Sequence, residues 1–376
     1  MNSTPQSNRL HVGIFGETNV GKSTLFNALT ETDIAIVSDL PGTTTDPVQK
    51  AMELLPFGPI VLIDTAGLGD ETPLGRQRIE KTLKLLDRID FAIYVTVRSS
   101  DTSYNENYKK FASMLDEKNI PHILVTRDVD INEIKKTMVE RLSDIKSTNK
   151  DGTDTLLGGL LPPGATVLMV CPVDTEAPKG RLVLPQNQLI RDCIDNGFMA
   201  YVITENEIEQ ALSNLRKVDL VVTDSKVFGL VAKVVPPDIK LTSFSILMAR
   251  QKGDIEVLLK GLEAVESFKK NGGKVLISEV CTHNRTHEDI GRVKIPALLR
   301  KLNGYEVDFD FTVGHDYPDD LSEYDLIIHC GACMITPREM KNRISAAEAT
   351  GVPITNYGLF LAHTAGILDR SIEVLR

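Results

Sequence analysis

Two groups of residues in this 376-residue chain have types and spacing that could do chemistry. The first is Gly16-Glu-Thr-Asn-Val-Gly21-Lys22-Ser23, which fits G-x-x-x-x-G-K-[ST]. The glycines let backbone N–H groups point at phosphate oxygens, and the start of a following helix adds a favourable dipole. Lys22 would reach the β- and γ-phosphates and the Ser23 hydroxyl would bind Mg²⁺, with Asn19, Val20 and Thr24 lining the same nucleotide. The second group is Cys281-Thr-His283 and, after forty-five intervening residues, His329-Cys330-Gly-Ala-Cys333. Thiolates are soft donors suited to Zn²⁺ or iron–sulfur clusters. Three of them from two distant segments could close on one centre.

Further residues extend the nucleotide pattern. In Asp64-Thr-Ala-Gly67 a carboxylate could hold Mg²⁺ through water and a glycine amide could sense the γ-phosphate. Gly42-Thr43-Thr44-Thr45-Asp46 offers Thr44 to complete the Mg²⁺ shell. Alone, Asp-x-x-Gly is an ordinary turn and a threonine run a capped loop. In this order they resemble the G1, G2 and G3 motifs of translation-factor-type GTPases, which implies GTP/GDP and Mg²⁺ as ligands and Lys22, Thr44, Asp64 and Gly67 as the catalytic set. Gly16, Gly21, Ser23 and Asp64 would bind the cofactor with them.

Two positions depart from that pattern. Leu68 stands where Ras-like enzymes place a water-orienting glutamine, which is similar to the TrmE group. Those relatives use the residue at Asn19 to hold an assisting K⁺; the alternative for Asn19 is to shape the loop. The usual Asn-Lys-x-Asp is replaced by Thr126-Arg127-Asp128-Val129-Asp130, leaving Asp128 or Asp130 as guanine partner. The expectation is slow GTP hydrolysis, with guanine selectivity left open.

The elements that must position these residues alternate apolar strands with amphipathic helices, as in α/β domains with mostly parallel sheets. Strands are expected at His11–Phe15, Pro59–Ile63, Phe91–Val97 and His122–Thr126, with helices at Lys22–Leu29, Tyr108–Glu117 and Ile131–Ile145. A Ser/Gly/Pro-rich stretch, Ser147–Gly164, reads as a linker. A second unit has strands at Thr166–Val170, Ala200–Ile203 and Leu220–Thr223, helices near Pro185–Asp195 and Ile208–Leu215, and a further helix over Thr242–Arg250. A third, beginning after Gly261, has strands at Lys274–Glu279, Leu326–His329 and Pro353–Asn356 and a helix at Glu339–Ala349. The fold class expected is α/β in three consecutive units. Residues 1–150 form a nucleotide domain short of its last strand and 151–164 the linker; 165–261 and 262–376 form two further domains.

Composition narrows the classes. A net charge of −10 argues against a duplex nucleic-acid binder. No run of about 18 apolar residues exists to span a bilayer. The N-terminal residues are polar and run straight into a strand, which is not how a signal peptide reads. Five cysteines without a secretion signal do not suggest a disulfide framework. Cys171 and Cys193 read as packing thiols. His11, His122, His315 and His363 read as core or surface residues; Asp174, Lys179 and Arg181 could form a second anion site but read better as a loop salt bridge at a dimer interface.

Cys281 follows one predicted strand and His329 ends another, and strand ends on one edge of a parallel sheet converge. Spacing alone leaves an iron–sulfur cluster, a Cys₃His zinc site and a packed non-metal group all open. Together with the phosphate loop, however, Cys-x-His…His-Cys-x-x-Cys resembles the [FeFe]-hydrogenase maturation GTPases. So do Ala177-Pro-Lys-Gly-Arg-Leu-Val-Leu-Pro185-Gln, Leu241-Thr-Ser-Phe-Ser-Ile-Leu, Asp289-Ile-Gly-Arg-Val-Lys-Ile-Pro296 and Pro353-Ile-Thr-Asn-Tyr-Gly358. The resemblance implies a P-loop GTPase domain, a dimerisation domain and an iron–sulfur cluster-binding domain. It implies a [4Fe–4S] cluster on Cys281, Cys330 and Cys333, with His283 and His329 as candidates for the fourth iron or for support behind the thiolates. The implied role is scaffold or carrier for the di-iron precursor of the hydrogenase site. A cytoplasmic homodimer or higher oligomer would serve the hydrogenase apoprotein and radical-SAM maturases, with no nucleic acid and no membrane. The alternatives are a TrmE- or Era-like GTPase of RNA modification with a structural zinc, and a non-hydrolysing nucleotide-binding paralogue.

Overall fold

The computed structural model describes residues 4–31, 47–69, 72–97, 102–148, 155–173, 182–271, 273–280, 290–303 and 307–376. The chain divides into two compact units, residues 1–150 and 151–376.

In the first unit the elements run β1 (Leu10–Gly16), α1 (Lys22–Thr30), β2 (Val48–Leu54), β3 (Gly58–Asp64), α2 (Pro73–Lys84), β4 (Phe91–Thr96), α3 (Thr102–Glu117), β5 (His122–Thr126) and α4 (Ile131–Thr148). The sheet order is β2-β3-β1-β4-β5, parallel except for the β2–β3 pair. Period-two alternation sends Ile60, Leu62, Phe91, Ile93 and Val95 to one face, where α1 and α4 supply Phe26, Leu29, Met138 and Leu142. Val61, Ile63, Ala92 and Tyr94 go to the other, against Leu85, Phe111 and Leu115. Strand β1 is central with β3 and β4 on either side, so the loop after β1 opens at the switch point where such sheets bind ligands. No strand follows α4 in this unit among the described residues. Strand β2 was not anticipated: its exposed Gln49, Ala51 and Glu53 alternate with half-buried residues on an edge, a weak apolar signal.

In the second unit the chain continues with β6 (Thr166–Val170), α5 (Leu184–Asp195), β7 (Met199–Ile203), α6 (Ile208–Asn214), β8 (Leu220–Thr223), α7 (Phe228–Val234), β9 (Lys240–Ser243) and α8 (Phe244–Lys252). Then come α9 (Ile255–Asn271), β10 (Gly273–Glu279), a π-helical turn at Ile290–Lys294, α10 (Ile295–Asn303), β11 (Val307–Val313), β12 (Leu326–His329), α11 (Pro337–Thr350), β13 (Ile354–Asn356), α12 (Tyr357–Thr364) and α13 (Leu368–Ile372). Two four-stranded parallel sheets result, β7-β6-β8-β9 and β11-β10-β12-β13. One hydrophobic core joins them: Leu168, Val221 and Leu241 of the first lie in the same cluster as Ile277, Ile328 and Ile354 of the second. Helix α8 is apolar almost all round because it is buried on two sides. Ile246 and Ala249 enter this joint core, while Phe244, Leu247 and Met248 enter the core on the other face of the first sheet.

Two expectations are corrected here. The helix expected over Thr242–Arg250 begins only at Phe244; Lys240–Ser243 is a buried strand, and Ser243 Oγ caps the helix by accepting from Ile246 N–H at 3.3 Å. Nor does Gly261 break the chain: it lies inside α9. A Cβ there would sit 2.0 Å from the Ile354 carbonyl oxygen, so this glycine permits close helix–strand approach.

Candidate functional site

The phosphate loop leaves β1 at Gly16 (φ +144°) and enters α1 through Gly21 (φ +100°), both at positive φ where glycine is favoured over residues with a Cβ. A Cβ on Gly16 would meet the Val95 carbonyl oxygen at 2.4 Å. Asn19 holds φ +62°, which asparagine tolerates, and its side chain makes no hydrogen bond among the described residues. Val20 is buried in the core beneath the loop, leaving its N–H as the group it can offer a phosphate; Thr24 is exposed on the first turn of α1. Lys22 is buried and its Nζ donates to the Glu17 carbonyl at 2.6 Å. Burial pushes this ammonium down to about 8, against the opposing pull of Asp64 and Glu17.

Strand β3 delivers Asp64 beside it. Ser23 Oγ donates to Asp64 Oδ2 at 2.6 Å, while the buried Asp64 Oδ1 has no partner among the described residues. Burial holds the Asp64 carboxyl above the usual range, with the Ser23 bond pulling the other way. Buried polar oxygens are normally satisfied, so a hydroxyl bonded to one oxygen of a carboxylate whose other oxygen is orphaned makes a hard-donor set that fits Mg²⁺ and its waters. Gly67 is pressed against the loop: its Cβ would lie 2.8 Å from Thr18 N, and Leu68 N–H donates to the Gly16 carbonyl at 3.0 Å. Leu68 itself packs on the face formed by Phe15 and Ile63, presenting no polar group. Thr44 lies outside the described residues.

At the base-recognition corner, the Cβ of Arg127 would be 3.7 Å from a Cβ on Gly21, so the turn after β5 adjoins the phosphate loop. Asp130 Oδ1 accepts from Asn132 N–H at 3.1 Å and so caps α4. Asp128 is exposed and pairs with Arg127 at 3.6 Å.

Of the second constellation, His329, Cys330 and Cys333 lie at the carboxyl edge of the second unit's β10–β13 sheet. Strands β10 and β12 are neighbours with Ser278 opposite His329, so Val280 and Cys330 leave the sheet side by side. Val280 N–H donates to the Cys330 sulfur at 3.3 Å, and Cys330 N–H donates to the Ser278 carbonyl at 2.9 Å. Cys281 follows Val280 directly in the chain; with His283 it lies outside the described residues, as do Asp174, Lys179 and Arg181. Cys330 is buried and Cys333 half-buried. The turn between them carries Ala332 at φ +56°. An N–H aimed at a buried sulfur suits a thiolate, a soft donor, but among the described residues no three His, Cys, Asp or Glu side chains are grouped to hold a metal ion.

His329 is fully buried with both ring nitrogens engaged: Nδ1 lies 2.8 Å from the Cys330 carbonyl and Nε2 3.1 Å from Arg343 Nη1. It thus sits behind the thiol turn. Three supporting residues carry no sequence signal of their own. Arg343 bonds His329, Ser278 (3.2 Å), the Gly314 carbonyl (2.9 Å) and Glu339 (2.9 Å), all in the interior. Glu339 also meets His315 Nδ1 at 2.9 Å. Lys252 reaches the turn from α8, and burial pushes its ammonium down to about 8 while Cys333 and Cys330 oppose the shift. The i, i+4 spacing of Glu339 and Arg343 is the one feature that could have drawn notice. Cys171 and Cys193 are buried in the core around β6, and burial pushes both thiols up to about 12.

Three family models match the chain. A 50S ribosome-binding GTPase model covers residues 11–128, a hydrogen maturase F dimerization domain 156–253 and a hydrogen maturase F tetramerization domain 256–374. The chain belongs to the hydrogen maturase F family. Its first unit has relatives among the TrmE/Era-like GTPases. The tRNA modification GTPase MnmE of Ehrlichia chaffeensis is 38% identical over 112 residues, 30% of this chain and 25% of that protein. GTPase Era of Carboxydothermus hydrogenoformans is 33% identical over 168 residues, 41% of this chain and 55% of that protein. The chain therefore spans about a quarter to a half of the length of these relatives. A crystal structure of Era from Aquifex aeolicus, 16% identical, covers 81% of this chain and 92% of its own, with a TM-score of 0.27. Among the described residues no helix is long and apolar enough to cross a membrane.

Proposed function

We propose that this hydrogen maturase F protein binds GTP in its first unit and carries an iron–sulfur centre in its second, acting as scaffold or carrier in maturation of the [FeFe]-hydrogenase cluster. The observation that carries the reading is the Val280 N–H on the Cys330 sulfur. It ties the segment that runs into Cys281 to the Cys330–Cys333 turn.

In the first unit, Gly16 and Gly21 open the loop to phosphate oxygens, and Lys22 exchanges its Glu17 carbonyl for the β- and γ-phosphates. Ser23, Thr44 and Asp64 would hold Mg²⁺, whose charge would neutralise the phosphates when bound. Gly67, held against Thr18, offers its N–H to the γ-phosphate. Leu68 cannot orient a water, which supports slow hydrolysis, with Asn19 free to take a K⁺. Asp130 would recognise guanine; its role as the cap of α4 favours a second reading, in which base recognition is weakened and the unit binds nucleotide without turning it over.

In the second unit, Cys281, Cys330 and Cys333 supply the thiolates of a [4Fe–4S] cluster, His329 steadies the turn from behind, and His283 is the candidate for the remaining iron. A cluster held by three cysteines would leave one iron open to the di-iron cargo. The domains are proposed as residues 1–150, 165–261 and 262–376 with a linker at 151–164. The last boundary is better drawn at Gly253 in view of α9. Dimers would pair through β7, an outer strand whose Tyr201 and Val202 remain over 40% exposed. Partners would be the hydrogenase apoprotein and radical-SAM maturases in the cytoplasm.

Anaerobic reconstitution with iron and sulfide tests this reading. Wild-type protein should turn brown with about four irons per chain and absorb broadly near 400 nm, and Cys330→Ser should lose most of that iron. One zinc and no iron would sink the proposal and favour the RNA-modification alternative.

A further inference from the structure

Lys252 is the last residue of α8, inside the dimerization-domain stretch, yet its ammonium lies under the thiol turn of the neighbouring stretch. The residue is 1% exposed. Its Nζ donates to the carbonyls of Ala332 (3.1 Å), Cys333 (3.0 Å) and Ile335 (2.9 Å), which uses all three donors. Hydrogen bonding is thus satisfied, but charge is not. None of the three acceptors is anionic, and among the described residues Lys252 forms no ion pair with a carboxylate. Glu339, whose charge also acts on it, is bonded to Arg343 and His315.

An isolated buried ammonium costs several kcal/mol unless an opposite charge offsets it. The groups placed to do so are the Cys330 and Cys333 sulfurs, once they are thiolates around a metal. A surface lysine would have served to close the end of α8, because Arg250 already stands in its last turn. Negative charge on these two cysteines would offset the buried cation.

We propose that Lys252 is a positioning residue and internal counter-charge for the metal centre: it clamps the 332–335 turn and raises the centre's reduction potential. This rests on the cluster reading above. A fixed positive charge favours the more negative, reduced state of a thiolate-ligated cluster, so removing it shifts the potential downward. The clamp also comes from the dimerization-domain side, so movement of α8 would be felt at the thiol turn.

Full-length wild type, K252R, K252Q and K252M, reconstituted anaerobically with iron and sulfide, test this. Circular dichroism and elution volume check the fold, and dithionite titration followed by electron paramagnetic resonance gives the midpoint. K252R should keep the wild-type midpoint. K252Q, which keeps donors without charge, should reduce the reduced-to-oxidised ratio at the wild-type midpoint about tenfold, or about 59 mV for one electron. K252M should shift likewise and surrender iron to a chelator several-fold faster. A K252Q protein with full iron and an unmoved midpoint overturns the counter-charge while leaving the cluster reading intact. Wild-type protein that takes up no iron overturns both. Should the neutral variants not fold, wild type alone decides: a buried counter-charge is hardly screened, so the midpoint should hold between about 0.05 and 0.5 M KCl, and a salt-dependent midpoint overturns the inference.

Discussion

The phosphate loop and the thiol turn hold functional groups in opposite ways. Around the first, the supports are mostly local: two glycines at positive φ and a lysine bonded five residues back, with one longer contact from Ser23 at the start of α1 to Asp64 at the end of β3. Around the second they are remote. Lys252 acts across 80 residues on Ala332, and Arg343 across 65 on Ser278; Asn356 Nδ2 donates at 3.0 Å to the carbonyl of Ser245, beside Gly331. A site built from backbone shape can be written as a short motif. A site built from buried side chains depends on the whole core.

That contrast can be broken by substitution. The largest effect is expected at Arg343→Met, which strands Glu339 and His329 in the interior. Removing one partner of a buried pair costs about 3–5 kcal/mol, so the urea midpoint of the second unit should fall sharply while nucleotide binding is unchanged. Gly67→Ala should do the reverse. Its Cβ would strike the Thr18 backbone, and nucleotide affinity measured by titration calorimetry should fall about 100-fold, or ~2.7 kcal/mol, with circular dichroism and iron content unaltered. Gly261→Ala should cost about 1–3 kcal/mol of second-unit stability by forcing α9 off Ile354; an unchanged midpoint would return this glycine to the role of a break.

The smallest effect is one of pH. With Lys22 lowered to about 8 from its ordinary 10.5, the folded, unliganded protein loses this proton before the unfolded chain does. Its buried charge therefore weighs against folding below about 8, and that burden lifts as pH rises from there to 10.5. Phosphates favour the charged form, so above about pH 8 binding takes up a proton and affinity declines by up to about tenfold per pH unit. Calorimetry in buffers of different ionisation enthalpy should detect that proton, and Lys22→Met should abolish it.

The same contrast explains what could be read in advance. The strands at His122–Thr126, Thr166–Val170, Leu220–Thr223 and Leu326–His329 are short apolar runs beside turn residues, and periodicity finds them to the residue. Edge strands β2 and β11 escape because polar residues alternate through them. Asp64, Ser23 and Lys22 were legible as a motif and lie together. Lys252 was not: in Arg250-Gln-Lys252-Gly it reads as a solvated helix end, and only the packing of α8 between two cores reveals that it points inward. Gly261 misled for a related reason, since a glycine that ends a helix and one that admits a neighbouring backbone are spelled alike.

Helix α8 carries one more implication. The matched dimerization and tetramerization stretches meet between residues 253 and 256, yet α8 contributes side chains to the core that both sheets share. A protein engineer who severed the chain at that seam would uncover Leu241 and Ile246 on one fragment and Ile277 and Ile328 on the other. Neither fragment should remain in solution by itself, and the two should recover a native state only when supplied together.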